Sequence, residues 1–202
     1  KTAKGVNAKM LNKWIDAMAP KNSKMRGLGE IYMKAGKASG LDPRYLVAHS
    51  AVETAWGTSN LSHGGDPKKG NWYGIGAFDN NPNNGFNYGL GIVGGAKWIA
   101  KNFYSRGQKT LHKMRHNGGQ HEYATAGNWD TMIASIMGSS DKFLKGGKGG
   151  RFSPPQTETV ESTTRSKNLD LNLTIPEGYD VDKASDMIVN EVVNYMNKNL
   201  QY

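Results

Sequence analysis

The sequence predicts a mainly α fold with one small β-hairpin lobe, α+β in sum, and three observations predict it. Apolar residues recur at helical spacing in five stretches between residues 8 and 137. One stretch, 62–90, breaks that period: it is rich in Gly, Asn and Pro yet keeps Trp72, Tyr73, Ile75, Phe78, Phe86 and Tyr88. No run of eighteen apolar residues and no cysteine occurs, so the sequence offers no membrane-spanning helix, disulfide framework or cysteine metal site.

Each element has a local cause. Asn7 is a helix cap, Met10, Leu11, Trp14, Ile15 and Met18 form one apolar face, and Pro20 stops the helix. Leu28, Ile31, Tyr32 and Ala35 make a second helix that ends at Gly40. Asp42 followed by Pro43 starts a third, carried by Tyr45, Ala48, Val52 and Trp56, with Gly57 where a C-cap falls. The lobe at 62–90 reads as a β-hairpin or irregular segment. Ile92, Val93, Ala96, Ile99, Ala100 and Phe103 restore the helical period, a short helix fits 108–115, and Trp129, Met132, Ile133 and Ile136 give the next.

After Gly138 the composition shifts. The 202 residues divide into a body at 1–140, a linker or extended arm at 141–180 and an amphipathic helix at 181–202 bearing Ala184, Ile188, Val192, Tyr195 and Met196. That helix can pack back on the body or contact another module. Beginning on Lys1, the sequence is expected to be a segment of a longer polypeptide.

Charge is uneven. Residues 1–37 carry nine basic and two acidic side chains, a local net of +7, whereas residues 156–202 carry four basic and eight acidic ones. A basic body attracts polyanions, either nucleic acid or a wall rich in phosphate polymers, and no nucleic-acid motif accompanies it. A solvated helix face is the plainer reading of the same lysines.

Residues 38–155 hold only seven carboxylates: Asp42, Glu53, Asp66, Asp79, Glu122, Asp130 and Asp141. Asp42 is a cap, Asp130 sits in a first helical turn where the dipole favours it, and Asp66 and Asp141 fall in loops. Glu53 is different. It is the only charged residue between Arg44 and Asp66, with Leu46, His49, Ser50 and Trp56 as its helical neighbours. An apolar setting favours the protonated form of a carboxyl, which is what a general acid needs at neutral pH. A solvated glutamate at a helix end is the competing reading.

Five blocks then appear in order: LVAHSAVETAWGTS at 46–59, NWYGIGAFD at 71–79, GGAKWIAKNF at 94–103, GQKTLHKMR at 107–115 and YATAGNWDTMIASIM at 123–137. Over about residues 25–140 the chain resembles the bacterial and phage N-acetylglucosaminidases of glycoside hydrolase family 73, in particular the staphylococcal autolysin type. The resemblance implies a lysozyme-like helical domain that hydrolyses peptidoglycan after N-acetylglucosamine. It gives Glu53 the role of general acid and Tyr123 that of supporting charge near the cleaved bond. Many relatives place a second glutamate in the lobe, but 62–90 contains none; Asp79 is the nearest substitute, and a turn aspartate is the plainer account of it. Two chemistries stay open: an inverting base, or retention through the substrate's own acetamido group.

The remaining expectations concern binding. Trp72, Tyr73, Phe78, Phe86, Tyr88, Asn128 and Trp129 are candidates for a sugar groove, with Tyr73 also a candidate for lobe core. His49, His63, His112, His116 and His121 show no metal-ligand spacing, so no metal or other cofactor is expected. The partners implied are glycan strands and anionic wall polymers, outside the cell or in a phage particle, with no specific nucleic acid and no membrane insertion. A lytic transglycosylase and a non-catalytic wall-binding or phage-tail module are the rival readings.

Overall fold

The structure, a computed structural model, describes residues 2–77 and 81–144. Within them run six α-helices: α1 (Ala8–Met18), α2 (Gly29–Ser39), α3 (Pro43–Glu53), α4 (Gly91–Asn102), α5 (Leu111–Arg115) and α6 (Trp129–Ser139). Short 3-10 segments at Asn60–Gly65, Pro82–Tyr88, Tyr104–Arg106 and Ser140–Phe143 fill the connections. None of the helices among the described residues is long and apolar enough to cross a membrane.

Capping chemistry sets the helix starts. Asn7 accepts a hydrogen bond from the Met10 amide at 2.9 Å, and Asp42 accepts one from the Arg44 amide at 2.9 Å with Pro43 in the first turn. α2 ends where Gly40 turns left-handed at φ 75°, its amide bonded to the Gly36 carbonyl at 2.8 Å. Thr110 caps α5 through the Lys113 amide at 3.1 Å.

α2 packs on α4, α3 on α6, α1 on α2 and α5 on α6. Eight of the eleven residues of α3 are buried, so it is the central helix and its sequence is apolar nearly all round. Trp14, Tyr32, Trp72, Ile92 and Ile133, from other segments, are fully buried with it. Two ties join distant segments: the Trp14 indole donates to Ser139 Oγ at 2.8 Å, and Arg44 pairs with Asp141 at 3.0 Å. The body therefore runs past residue 140, and Asp141 belongs to it rather than to the linker. Residues 145–202, including the rest of the expected arm and the expected C-terminal helix, lie outside the described residues.

Two expectations need correction. No hairpin forms at 62–90 among the described residues; the segment is turns and 3-10 helix. Side chains take the backbone groups that a strand ladder would use. The Asn71 amide donates to the Ile75 carbonyl at 2.8 Å and the Gly85 carbonyl at 2.9 Å, and its oxygen accepts from the Ile75 amide at 3.0 Å. Asn84 does the same for the Gly76 carbonyl at 2.8 Å.

The second correction is that α3 stops at Glu53, short of Trp56. Thr54 Oγ1 donates to the Ser50 carbonyl at 2.6 Å and accepts from the Gly57 amide at 2.8 Å. That side chain bends the chain into three successive left-handed residues, Ala55, Trp56 and Gly57, at φ 46°, 57° and 76°. For the two that are not glycine the conformation costs about 1–2 kcal/mol each.

Candidate active site

The early end of α3 places Glu53 at the rim of the core, with 20% of its side chain exposed. The Trp129 indole, from the first turn of α6, donates to Glu53 Oε1 at 2.7 Å. His49, one turn earlier on α3, brings Nε2 to 3.4 Å from the same oxygen. On the other side Gly74, at φ 64°, lies so close to Glu53 Oε2 that any Cβ there would collide with the carboxylate.

His49 is fully buried in a ring of aromatic groups. Tyr45, Tyr73, Tyr123 and Trp129 surround it at centroid distances of 5.4, 5.3, 4.7 and 5.1 Å, and the Tyr45 hydroxyl bonds Nδ1 at 2.9 Å. The Tyr123 hydroxyl donates to the Tyr73 carbonyl at 2.7 Å, while its ring stacks on Trp129 at 5.0 Å and 21°. Burial, reinforced by the Glu53 charge, pushes the Tyr123 hydroxyl well above its ordinary pKa. It stays a neutral donor, and what it holds is the 73–74 turn against Glu53.

An open groove of about 780 Å³ runs past these groups, lined by Glu53, Gly74, Ala77, Glu122, Tyr123 and Trp129 among others. Glu122 is a second groove carboxylate. It accepts from the Asn117 and Gly119 amides at 2.8 and 2.9 Å, which hold it below the usual carboxylate range, and it pairs with Arg115 at 3.0 Å. Those bonds fasten the 117–122 turn beside the groove.

The candidate binding residues separate. Trp72 and Tyr73 are core, fully buried, with the Trp72 indole on the Asp66 carbonyl and the Tyr73 hydroxyl on the Ile92 carbonyl, both at 3.1 Å. Neither ring offers a face to a sugar, which corrects their assignment to the groove. Phe86 is 54% exposed, Tyr88 is half-buried against Gly76, and Asn128 is exposed just ahead of α6. Trp129 reaches the groove but commits its indole N–H to Glu53. Phe78 and Asp79 lie outside the described residues.

A groove carboxyl gripped by an indole, at the end of a buried helix in a helical body, has the make-up of a lysozyme-like glycosidase. Comparison with known proteins makes this specific. Residues 29–142 match the glucosaminidase family model, described as mannosyl-glycoprotein endo-beta-N-acetylglucosaminidase. The chain belongs to this glucosaminidase family. It is 39% identical over 133 residues to the bifunctional autolysin of Staphylococcus epidermidis, a match covering 54% of this chain and 10% of that protein. The chain thus spans about a tenth of the length of such relatives.

Among solved structures, S. aureus autolysin E in complex with the muropeptide NAM-L-Ala-D-iGlu superposes with a TM-score of 0.57 at 27% identity, covering 68% of this chain and 67% of that one. A catalytic glutamate-to-alanine mutant of autolysin E, in complex with the disaccharide NAG-NAM, gives the same TM-score, identity and coverage. The major bifunctional autolysin gives 0.52 at 30% identity, over 70% of this chain and 64% of that one.

Proposed function

We propose that the chain is an endo-β-N-acetylglucosaminidase that hydrolyses the GlcNAc-β-1,4-MurNAc bond of bacterial peptidoglycan, acting at the cell wall. The observation that carries this reading is Glu53, held by Trp129 at the groove of a glucosaminidase-family body. The Glu53 carboxyl gives its proton to the glycosidic oxygen as the bond breaks. The substrate's acetamido oxygen attacks the anomeric carbon, and water, deprotonated by the Glu53 carboxylate, then opens the ring so formed with net retention.

The exposed lysines 4, 9, 13, 21 and 24 supply electrostatic capture of anionic wall polymers. One experiment tests both statements. Purified walls digested at low salt should release fragments ending in reducing N-acetylglucosamine, identified by mass spectrometry. At 1 M salt, where the Debye length is about 3 Å, wall digestion should fall steeply while short soluble glycans are cut much as before. Anhydro-muramyl ends would indicate a lytic transglycosylase, and intact glycans a non-catalytic module.

A substrate-assisted route makes Asp79→Asn a mild change and Tyr123→Phe a clear one. The phenylalanine leaves the Tyr73 carbonyl without its donor, at a cost of about 1–3 kcal/mol, and loosens the turn against Glu53. Turnover on soluble glycans measures both. Severe loss at Asp79 with little at Tyr123 would point to an inverting reaction with Asp79 as base.

A further inference from the structure

Away from the groove, folding brings Asp130 up to two histidines whose i, i+4 spacing, passed over in the sequence, puts them side by side. His112 on α5 and His116 just after it stand one helical turn apart, with ring centroids 4.6 Å from each other. Asp130, in the first turn of α6, reaches between them: its Oδ2 is 3.7 Å from His112 Nδ1 and 3.5 Å from His116 Nε2. All three donor atoms lie within 4.8 Å of one another. We propose that His112, His116 and Asp130 form a binding site for one divalent transition-metal ion of the Zn²⁺ class.

Geometry and chemistry both favour such an ion. Zinc bonds of about 2.0–2.1 Å in a tetrahedral site put neighbouring donors about 3.3 Å apart. The two His–Asp separations exceed this by only a few tenths of an ångström. Two imidazoles and one carboxylate suit Zn²⁺, Ni²⁺ or Cu²⁺, whereas Mg²⁺ and Ca²⁺ want oxygen donors throughout.

The base of the site is fixed and its mouth is open. Asp130 is nearly buried, at 11% side-chain exposure, and its Oδ1 accepts from the Thr131 amide at 2.9 Å, which aims Oδ2 at the histidines. His112 and His116 are 74% and 43% exposed, so an ion can enter from solvent and keep water as a fourth ligand. The guanidinium of Arg115, the residue before His116 in sequence, is held elsewhere. Arg115 is committed to the carbonyls of Ala126 and Thr125 at 2.7 and 2.6 Å and to Glu122.

An ion here would do more than decorate the surface. It would pin α5 to the first turn of α6, directly beside Trp129 and hence beside the indole that holds Glu53. The metal site itself stands independently of the proposed glycan chemistry, and its test reads no catalysis.

Tag-free protein, stripped with chelator, is titrated with ZnCl₂ in a calorimeter and melted at increasing Zn²⁺. The expected result is one ion per chain and a Tm that climbs with Zn²⁺ concentration, as for any ligand of the folded state, with no climb in Mg²⁺. His112→Ala and His116→Gln, both at exposed positions, should each weaken binding at least about tenfold, the least that disturbing a metal's surroundings costs. His63→Ala, remote from the cluster in sequence and exposed, should bind as the parent does. Absence of stoichiometric binding, or equal binding by the two cluster variants and the parent, would overturn the site and leave a pair of histidine–aspartate contacts.

Discussion

Glu53→Gln should lower turnover on cell walls by at least about 10²-fold, the lower end of what general acid catalysis contributes. The amide keeps the shape of the side chain and an oxygen for the Trp129 indole, now 2.7 Å away, so the end of α3 and the groove should survive. What disappears is the proton for the leaving oxygen. Unchanged far- and near-ultraviolet circular dichroism, retained glycan adsorption and lost product form the expected combination. Lysis close to that of the parent would remove Glu53 from the mechanism.

Gly74→Ala should come close to the same loss without touching a carboxylate. An alanine Cβ would meet Glu53 Oε2, and the side chain would have to leave its place between Trp129 and the turn. Displacing a catalytic group by about 1 Å can cost about 10²-fold in rate. The left-handed φ of 64° adds about 1–2 kcal/mol of destabilisation for any residue with a Cβ. Gly27→Ala separates the two effects. Gly27 has φ 76° and nothing within 4 Å of a built Cβ, so its variant should lose similar stability while its activity persists. Equal turnover in the two alanine variants would rule out the steric account.

What the sequence revealed and what it hid divide along a physical line. Helix starts were legible because their causes are local: Asn7 and Asp42 bond amides two or three residues away, and Gly40 needs only its own φ. Glu53 stood out for the same reason, as a lone charge in an apolar window. The end of α3 was hidden because a threonine side chain, not the glycine after it, breaks the helix. The lobe misled because Asn71 satisfies backbone groups at both Ile75 and Gly85, a choice no alternation of polar and apolar residues reports.

Aromatic residues in an aperiodic segment suggested a sugar platform, but fully buried Trp72 and Tyr73 show that the segment contributes to the core without helical spacing. The contacts that shape the site were the least legible. Trp129 to Glu53 and Tyr123 to Tyr73 each join residues far apart in the chain. His49 had one readable signal, its place one turn before Glu53.

The bond between the Trp129 indole and Glu53 spans 76 residues, and the Trp14–Ser139 bond spans 125. A ribosome adding about 5–20 residues per second needs roughly 4–15 s to pass from the glutamate to its indole partner. Throughout that interval the acid exists but its site does not, because the helix that completes the site is still to be made. Contacts of such long sequence separation also slow folding after release, since loop closure must precede their reward. Until α6 has been made and has docked, the carboxyl at the end of α3 has no indole to hold it at the groove.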